Sequence, residues 1–349
     1  MDDPAARSFS PSTLREAMAR RLYRRSVAMG QITVPAVPSL IDEYVRMCDN
    51  LFASVGVQYS PEEFAQLKTV LETQLAEAYR TSSRSNIVIS FHAPFGTALN
   101  YRVNVESVTI AGAYDGWVAT REGSLFGIEP DARVSALAGE TADRGSFRVL
   151  DIGAGTGRNA LALARRGHPV DAVEIAPKLA HIIRSEAERE SLDVRVIERD
   201  VFATSDDVRC DYQLIVASEV VPDFRTTQQL RGMFELATHC LAPGGRLLFN
   251  TFVPREGYVP DDAARELGQQ CNTMIFTWEE MSSAADELPL GSLPTTPPMS
   301  TRNCTCPRAL GRLRPGSPIG PAGLICSTSR GRNPRSICAG SFTRRRSVR

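Results

Sequence analysis

Residues 149–157 read Val-Leu-Asp-Ile-Gly-Ala-Gly-Thr-Gly, and this run limits the possible folds more than any other stretch of the chain. Apolar residues around an acid lead into three glycines that alternate with small residues. Such a run reads as a buried strand breaking into a loop with almost no side chains, where the chain can bend through positive φ and approach a ligand closely. Behind it, Ala160, Leu161, Leu163 and Ala164 recur at helical spacing. A loop between strand and helix is where α/β folds bind nucleotide-like molecules.

A dinucleotide site calls for Gly-x-Gly-x-x-Gly, with the pyrophosphate on the helix N-terminus. Here Gly153, Gly155 and Gly157 are evenly spaced and Asp151 precedes them. A carboxylate there repels a pyrophosphate and suits an ammonium or a sulfonium. Further apolar runs follow in order. Pro169–Val173 ends in Glu174, and Val194–Ile197 is followed by Glu198, Arg199, Asp200, Val201 and Phe202. Asp211–Ala217 is a fourth run. Leu241-Ala-Pro-Gly-Gly245 makes a turn before a fifth, Arg246–Val253.

This series resembles the class I S-adenosylmethionine (SAM) dependent methyltransferases, with residues 149–157 as the family's first motif. The resemblance implies an α/β, Rossmann-like sheet with helices on both faces and SAM as cofactor. It places Asp151, Gly153, Ala154, Gly155 and Gly157 around SAM. Glu174, with Ile175, would accept both ribose hydroxyls. Asp200, with Val201, would hold the adenine end, and Ala217 and Ser218 would close the site at the end of the fourth strand. Taken singly, Glu174 also fits a solvated strand end, and Asp200 a turn residue or helix cap.

Composition bounds the rest. The chain has 349 residues, enough for one core and additions. No run of 18 apolar residues is present, so no membrane span is expected. Arg20, Arg21, Arg24 and Arg25 lack an apolar run behind them, which argues against a secretory signal. Cys48, Cys210, Cys240 and Cys271 are scattered singly and read as buried apolar residues or free thiols, in keeping with a reducing cytoplasm. The net charge of zero hides an asymmetry: residues 288–349 hold eleven arginines, no lysine and no acid. Taking those eleven from the chain's 40 basic residues leaves 29 against 40 acids in residues 1–287. An acidic body argues against a nucleic-acid partner.

Along the chain, residues 1–35 are expected to be disordered, apart from one helix starting at the capping-box pattern Thr13–Glu16. A helix is expected over Ser39–Val55. Another starts at Ser60-Pro61-Glu62-Glu63, with Phe64, Leu67, Leu71 and Leu75 as its buried face. Two strands, Asn86–His92 and Tyr101–Ile110, form a hairpin across Pro94-Phe95-Gly96. Residues 36–140 read as an accessory region of helices and β-hairpin that covers one side of the SAM site and shapes the acceptor pocket. Residues 141–287 read as the methyltransferase domain.

Residues 288–349 change character, with nine prolines and no strand or helix periodicity. Two readings stay open: a disordered basic tail, or a frameshift product that leaves the sheet without its last strands. One permitted set of codons for Ile337–Phe342, read in a shifted frame, encodes Leu-Arg-Trp-Leu-Val, a strand-like run. In the frameshift reading Leu247, Leu248 and Phe249 would become an exposed apolar edge. Cys304, Cys306, Cys326 and Cys338 match no zinc-ligand spacing and no histidine lies nearby, so no metal is expected.

The end of the fourth strand, Ala217-Ser-Glu-Val-Val-Pro-Asp223, bears on the acceptor. It lacks the Asn/Asp-Pro-Pro-aromatic signature of amino methyltransferases acting on bases, and no cysteine follows Pro222 as a cytosine enzyme requires. A small-molecule acceptor is the default. Glu219 and Asp223 are the candidate catalytic acids, as base or as anchor for a cationic acceptor; a helix-start cap explains them as well. Tyr114 and Trp117 could pack against the sulfonium or the acceptor, or simply fill the core. His92 is a weaker candidate, and His168, His181 and His239 fall away from the site. A protein methyltransferase and a SAM-binding protein without catalysis are the alternatives. Oligomeric state is not legible.

Overall fold

The computed structural model describes residues 10–23, 28–93, 99–123, 125–254, 258–292 and 337–344. Two compact units meet in sequence at Thr109/Ile110, so residues 110–140 belong with the second unit rather than with an accessory region ending at 140. The turn expected at Pro94–Gly96 lies outside the described residues.

The first unit contains α1 (Pro11–Tyr23), β1 (Ala28–Pro35), α2 (Ile41–Ser54), α3 (Pro61–Thr81), β2 (Asn86–Ala93) and β3 (Asn100–Glu106). The helix expected near Thr13 is α1, and the expected disorder over the rest of 1–35 is corrected for residues 28–35. The cap of α1 is Ser10, whose Oγ accepts from the Thr13 amide at 3.2 Å, and not Thr13. β1 is the unforeseen strand. It pairs antiparallel with β2, which pairs with β3, so the hairpin becomes a three-stranded sheet. In β1 only Ile32 and Val34 alternate before Pro35 ends the run, too short a pattern to register. Gly30 in β1 lies under Phe91, where a Cβ would meet the ring at 2.6 Å. The expected cap of α3 is present in full: Ser60 Oγ accepts from Glu63 N, and Glu63 reaches back to Ser60 N. Leu67, Leu71 and Leu75 are buried against Tyr44, Cys48 and Phe52 of α2 and Ile87, Ile89 and Phe91 of β2.

The second unit contains, in order, α4 (Ile110–Thr120), α5 (Ala132–Ala138), β4 (Val149–Ile152), α6 (Arg158–Ala164), β5 (Val170–Glu174), α7 (Pro177–Glu190), β6 (Val194–Glu198), β7 (Tyr212–Ala217), α8 (Thr227–Cys240), β8 (Leu241–Phe252), α9 (Asp262–Gln270), α10 (Trp278–Ala285), β9 (Leu290–Ser292) and β10 (Ile337–Arg344). The sheet order is β6-β5-β4-β7-β8-β10-β9. The first five strands are parallel, and β10 runs antiparallel between β8 and β9. Strand order reverses beside β4, which opens a crevice at the carboxyl ends of β4 and β7.

Alternation along the strands feeds two cores. Leu150, Ile152, Ile215, Leu247 and Phe249 pack against α8 and α10, through Leu230, Phe234 and Met281. Val149, Leu214, Val216 and Leu248 pack against α5, α6 and α7, through Leu137, Leu163 and Ile183. Both faces are covered, as parallel strands require.

Two expectations change. The Leu241–Gly245 turn is an excursion inside one long strand: Tyr212 pairs with Leu241, and pairing resumes at Leu214 and Arg246. Gly244 takes φ +84°, and a Cβ on Gly245 would stand 2.7 Å from the Tyr212 carbonyl oxygen. The sheet also has its final strands, so Leu247, Leu248 and Phe249 are buried and form no edge. The expectation of a structureless tail is corrected for residues 290–292 and 337–344. The rest of the tail, with Cys304, Cys306 and Cys326, lies outside the described residues.

Candidate functional site

β4 carries Asp151 into the core and delivers the glycine loop at its carboxyl end. Gly153, Gly155 and Gly157 all have positive φ, at +64°, +59° and +84°. A Cβ on Gly153 would lie 2.5 Å from Val220 Cγ2, and one on Gly155 would lie 3.1 Å from the Phe126 ring. Only glycine satisfies both the backbone and the space here. The Gly153 and Ala154 amides both donate to the Val173 carbonyl of β5, which fixes the loop against the next strand.

The acid at the end of β5 is built into that loop. Glu174 is buried; Oε2 accepts from Gly155 N at 2.7 Å and Oε1 from Ala176 N at 2.8 Å. Burial pushes its carboxyl above the ordinary range, and these amides partly offset the push. Each carboxylate oxygen keeps further acceptor capacity.

Asp151 is 2 % exposed, and its Oδ2 is buried without a hydrogen-bond partner. Burial first, then the Asp131 carboxylate, push its carboxyl up to about 7, with Glu174 adding to the rise; Arg158 and the Ala160 amide oppose it. An orphaned buried carboxylate is costly. Here it stands beside a glycine cradle, the arrangement expected of a group that meets a cation on the ligand.

Asp131 was not foreseen. It follows Pro130 at the N-cap of α5, yet its carboxylate makes no cap bond. It accepts instead from Arg158 Nη1 at 2.8 Å and Nη2 at 3.2 Å, from Asn159 Nδ2 at 3.3 Å, and from the Ser218 hydroxyl. The signal lay in Arg158-Asn159, a polar pair opening an otherwise apolar helix. Asp131 thereby ties the glycine loop to the end of β7.

At that end Ala217 is buried, Ser218 is committed to Asp131, and Glu219 takes φ +61°. The Asn250 side chain holds the Glu219 amide at 2.5 Å. The Glu219 side chain is 62 % exposed, 3.9 Å from Arg158 Nη2. Surrounding protein still raises its carboxyl above the ordinary range, with Asp131 and Asp223 adding and Arg158 opposing. Asp223 ends a short 3-10 turn; its Oδ2 accepts from the Tyr114 hydroxyl and its Oδ1 from Asn272 Nδ2 at 3.0 Å.

Tyr114 therefore joins α4 to the same rim. Its ring meets Trp117 edge-on at 5.1 Å and Phe126 at 6.2 Å. The Arg121 guanidinium lies 4.3 Å over Trp117. Asp115 of α4 accepts from the Lys178 amide at 3.0 Å, and the Lys178 ammonium donates back to the Asp115 carbonyl, clasping α4 to the start of α7 just after Glu174, Ile175 and Ala176. Of these partners, Phe126, Arg121 and Lys178 were not singled out from sequence.

Asp200 stands on the exposed end of β6, its Oδ1 accepting from Phe202 N at 3.0 Å as the cap of a 3-10 turn that includes Val201. Phe202 packs on Phe224 at 5.4 Å. The cap reading of Asp200 holds without occupying its other oxygen. His92 is exposed in the first unit, His168 is buried against Phe147, His181 lies on α7, and His239 meets Cys210 at 3.3 Å. The four cysteines of the body are free, two of them buried. Among the described residues no cluster could hold a metal ion, and no helix is long and apolar enough to cross a membrane.

Residues 149–245 match the model of the "Methyltransferase domain" family. Uncharacterized methyltransferases of Mycobacterium bovis and Mycobacterium tuberculosis are 33% identical over 124 residues, 35% of this chain. The chain spans 45% of the length of these curated relatives. Among solved structures, a protein from echinomycin biosynthesis, described with the conversion of a disulfide bond into a thioacetal group, covers 69% of this chain and 93% of its own, at TM-score 0.45 and 16% identity. Geranyl diphosphate C-methyltransferase from Streptomyces coelicolor covers 54% and 80%, at TM-score 0.41 and 18% identity. The glycine cradle on β4 and the acid at the end of β5 lie within the residues that match the methyltransferase-domain family, the stretch whose sequence resembles the class I SAM-dependent methyltransferases.

Proposed function

We propose that the chain transfers a methyl group from SAM to a small-molecule acceptor. The observation that carries the reading is the buried, partnerless Asp151 Oδ2 beside a loop of three positive-φ glycines. In this reading Asp151 faces the ammonium side of SAM. Gly153, Ala154, Gly155 and Gly157 give it backbone contact, and Glu174 with Ile175 takes the ribose hydroxyls. Asp200 and Val201 border the adenine, and Ala217 and Ser218 form the floor. SAM, when bound, supplies an electrophilic methyl carbon on a sulfonium. The chain's own part is to bind, orient and exclude water. Alignment of donor and acceptor can account for about 7 to 11 kcal/mol of barrier reduction. Glu219 and Asp223 lie where an acceptor would stand, with Tyr114 and Trp117 as its walls.

The test is transfer of labelled methyl from SAM to a metabolite extract and, separately, to a protein extract. Label in metabolites supports the reading. Label confined to protein moves it to a protein methyltransferase, and SAM binding with no transfer at all makes the chain a binder without catalysis.

A further inference from the structure

We propose that the acceptor is a cationic amine, methylated on nitrogen and held between the Tyr114, Trp117 and Phe126 rings and the Glu219 carboxylate; this rests on the methyltransferase reading above. Two observations carry it. The first is the arrangement of charge at the rim. The cations beside the glycine loop are engaged: Arg158 donates twice to Asp131, the Lys178 ammonium donates to the Asp115 carbonyl, and Arg121 lies over Trp117. Glu219 has its nearest cation at 3.9 Å, beyond hydrogen-bond distance, and most of its side chain open to solvent. A phosphate or carboxylate acceptor would meet net negative charge here, whereas an ammonium would complete the set.

The second observation is aromatic. Tyr114 meets Trp117 at 5.1 Å and Phe126 at 6.2 Å, both edge to face, and Phe126 touches the space above Gly155. Ring clusters of this kind recognise alkylated ammonium groups. Arg121 over Trp117 shows that one of these faces already holds a cation.

The chemistry balances. An amine arrives as an ammonium and must lose one proton before its lone pair is free; the Glu219 carboxylate takes that proton. The nitrogen lone pair then forms the bond to the methyl carbon while the carbon–sulfur bond breaks, its electron pair remaining on sulfur. The sulfonium becomes a neutral thioether and the positive charge passes to the nitrogen. Glu219, raised above the ordinary carboxyl range, suits a base that must later release its proton to water.

Deuteromethyl-labelled SAM and a metabolite extract, incubated with the full chain, give products that can be sorted by charge, with a chain-free control to remove SAM and its breakdown products. Label is expected in cationic products, reduced at least tenfold by Glu219→Gln. Label in neutral or anionic products overturns the proposal and leaves the methyltransferase reading standing; no label in any product brings down both. Binding gives a readout apart from activity. With S-adenosylhomocysteine saturating, calorimetry should show benzyltrimethylammonium bound at least tenfold more tightly than benzyl alcohol, and weakened about tenfold by Glu219→Gln. Equal affinity for the two probes, or none for either, overturns the proposal.

Discussion

At the scale of single residues, burial of Asp151 costs the ligand-free chain stability. Its carboxyl sits near 7 in the folded chain against an ordinary 3.8, chiefly because it is buried. The native state keeps a proton that the unfolded state releases, so stability falls as pH rises from about 4 to about 7. Asp151→Asn is expected to raise the thermal midpoint of the ligand-free chain by a few degrees at pH 8 and to leave it unchanged near pH 4. The same change should weaken SAM binding at least tenfold. Thermal unfolding at the two pH values, with calorimetry alongside, checks both. Asp151 and Glu174 were legible in the sequence because each closes a short apolar run. Asp131 was not: its contacts to Arg158, Asn159 and Ser218 join three segments far apart in the chain, and no local spacing encodes that.

At the scale of elements, the β4–loop–α6 unit shows why the glycine run could be read so early. Its constraint is local: a left-handed backbone and no room for a Cβ. Gly153→Ala is expected to cost about 2 kcal/mol, from a left-handed alanine and the clash with Val220. Pairing it with Val220→Ala should recover only the clash, as measured by denaturant unfolding. By contrast, β1 escaped notice because its short run makes sense only against β2, and the Tyr114 latch because it closes on Asp223, more than a hundred positions later. Periodicity reports which face of an element is buried; it does not say what covers that face.

At the scale of the molecule, the five parallel strands show in the sequence as successive apolar runs, most of them separated by helices. The remaining strands do not, because residues 290–292 and 337–344 carry little apolar alternation and join the sheet through backbone pairing with β8 and with each other. That pairing shields the outer edge of a long apolar strand. Removing residues 293–349 is therefore expected to lower the thermal midpoint and cause aggregation on heating, visible by light scattering. An unchanged midpoint in a chain that stays dispersed would show that β10 contributes nothing to the sheet. The unit boundary at Thr109 was also misjudged, because α4 and α5 look like more of the preceding helices until Asp115, Tyr114 and Asp131 are seen to engage the glycine-loop unit.

The most direct test is calorimetric titration of the full chain with SAM, beside Asp151→Asn and Glu174→Gln proteins that retain a cooperative thermal transition. The expected result is a single saturable site in the unmodified chain, tightening as pH rises through 7, weakened in both variants and without that pH dependence in Asp151→Asn. No saturable binding by the unmodified chain, or full affinity in both variants, would contradict a SAM site built on these two acids.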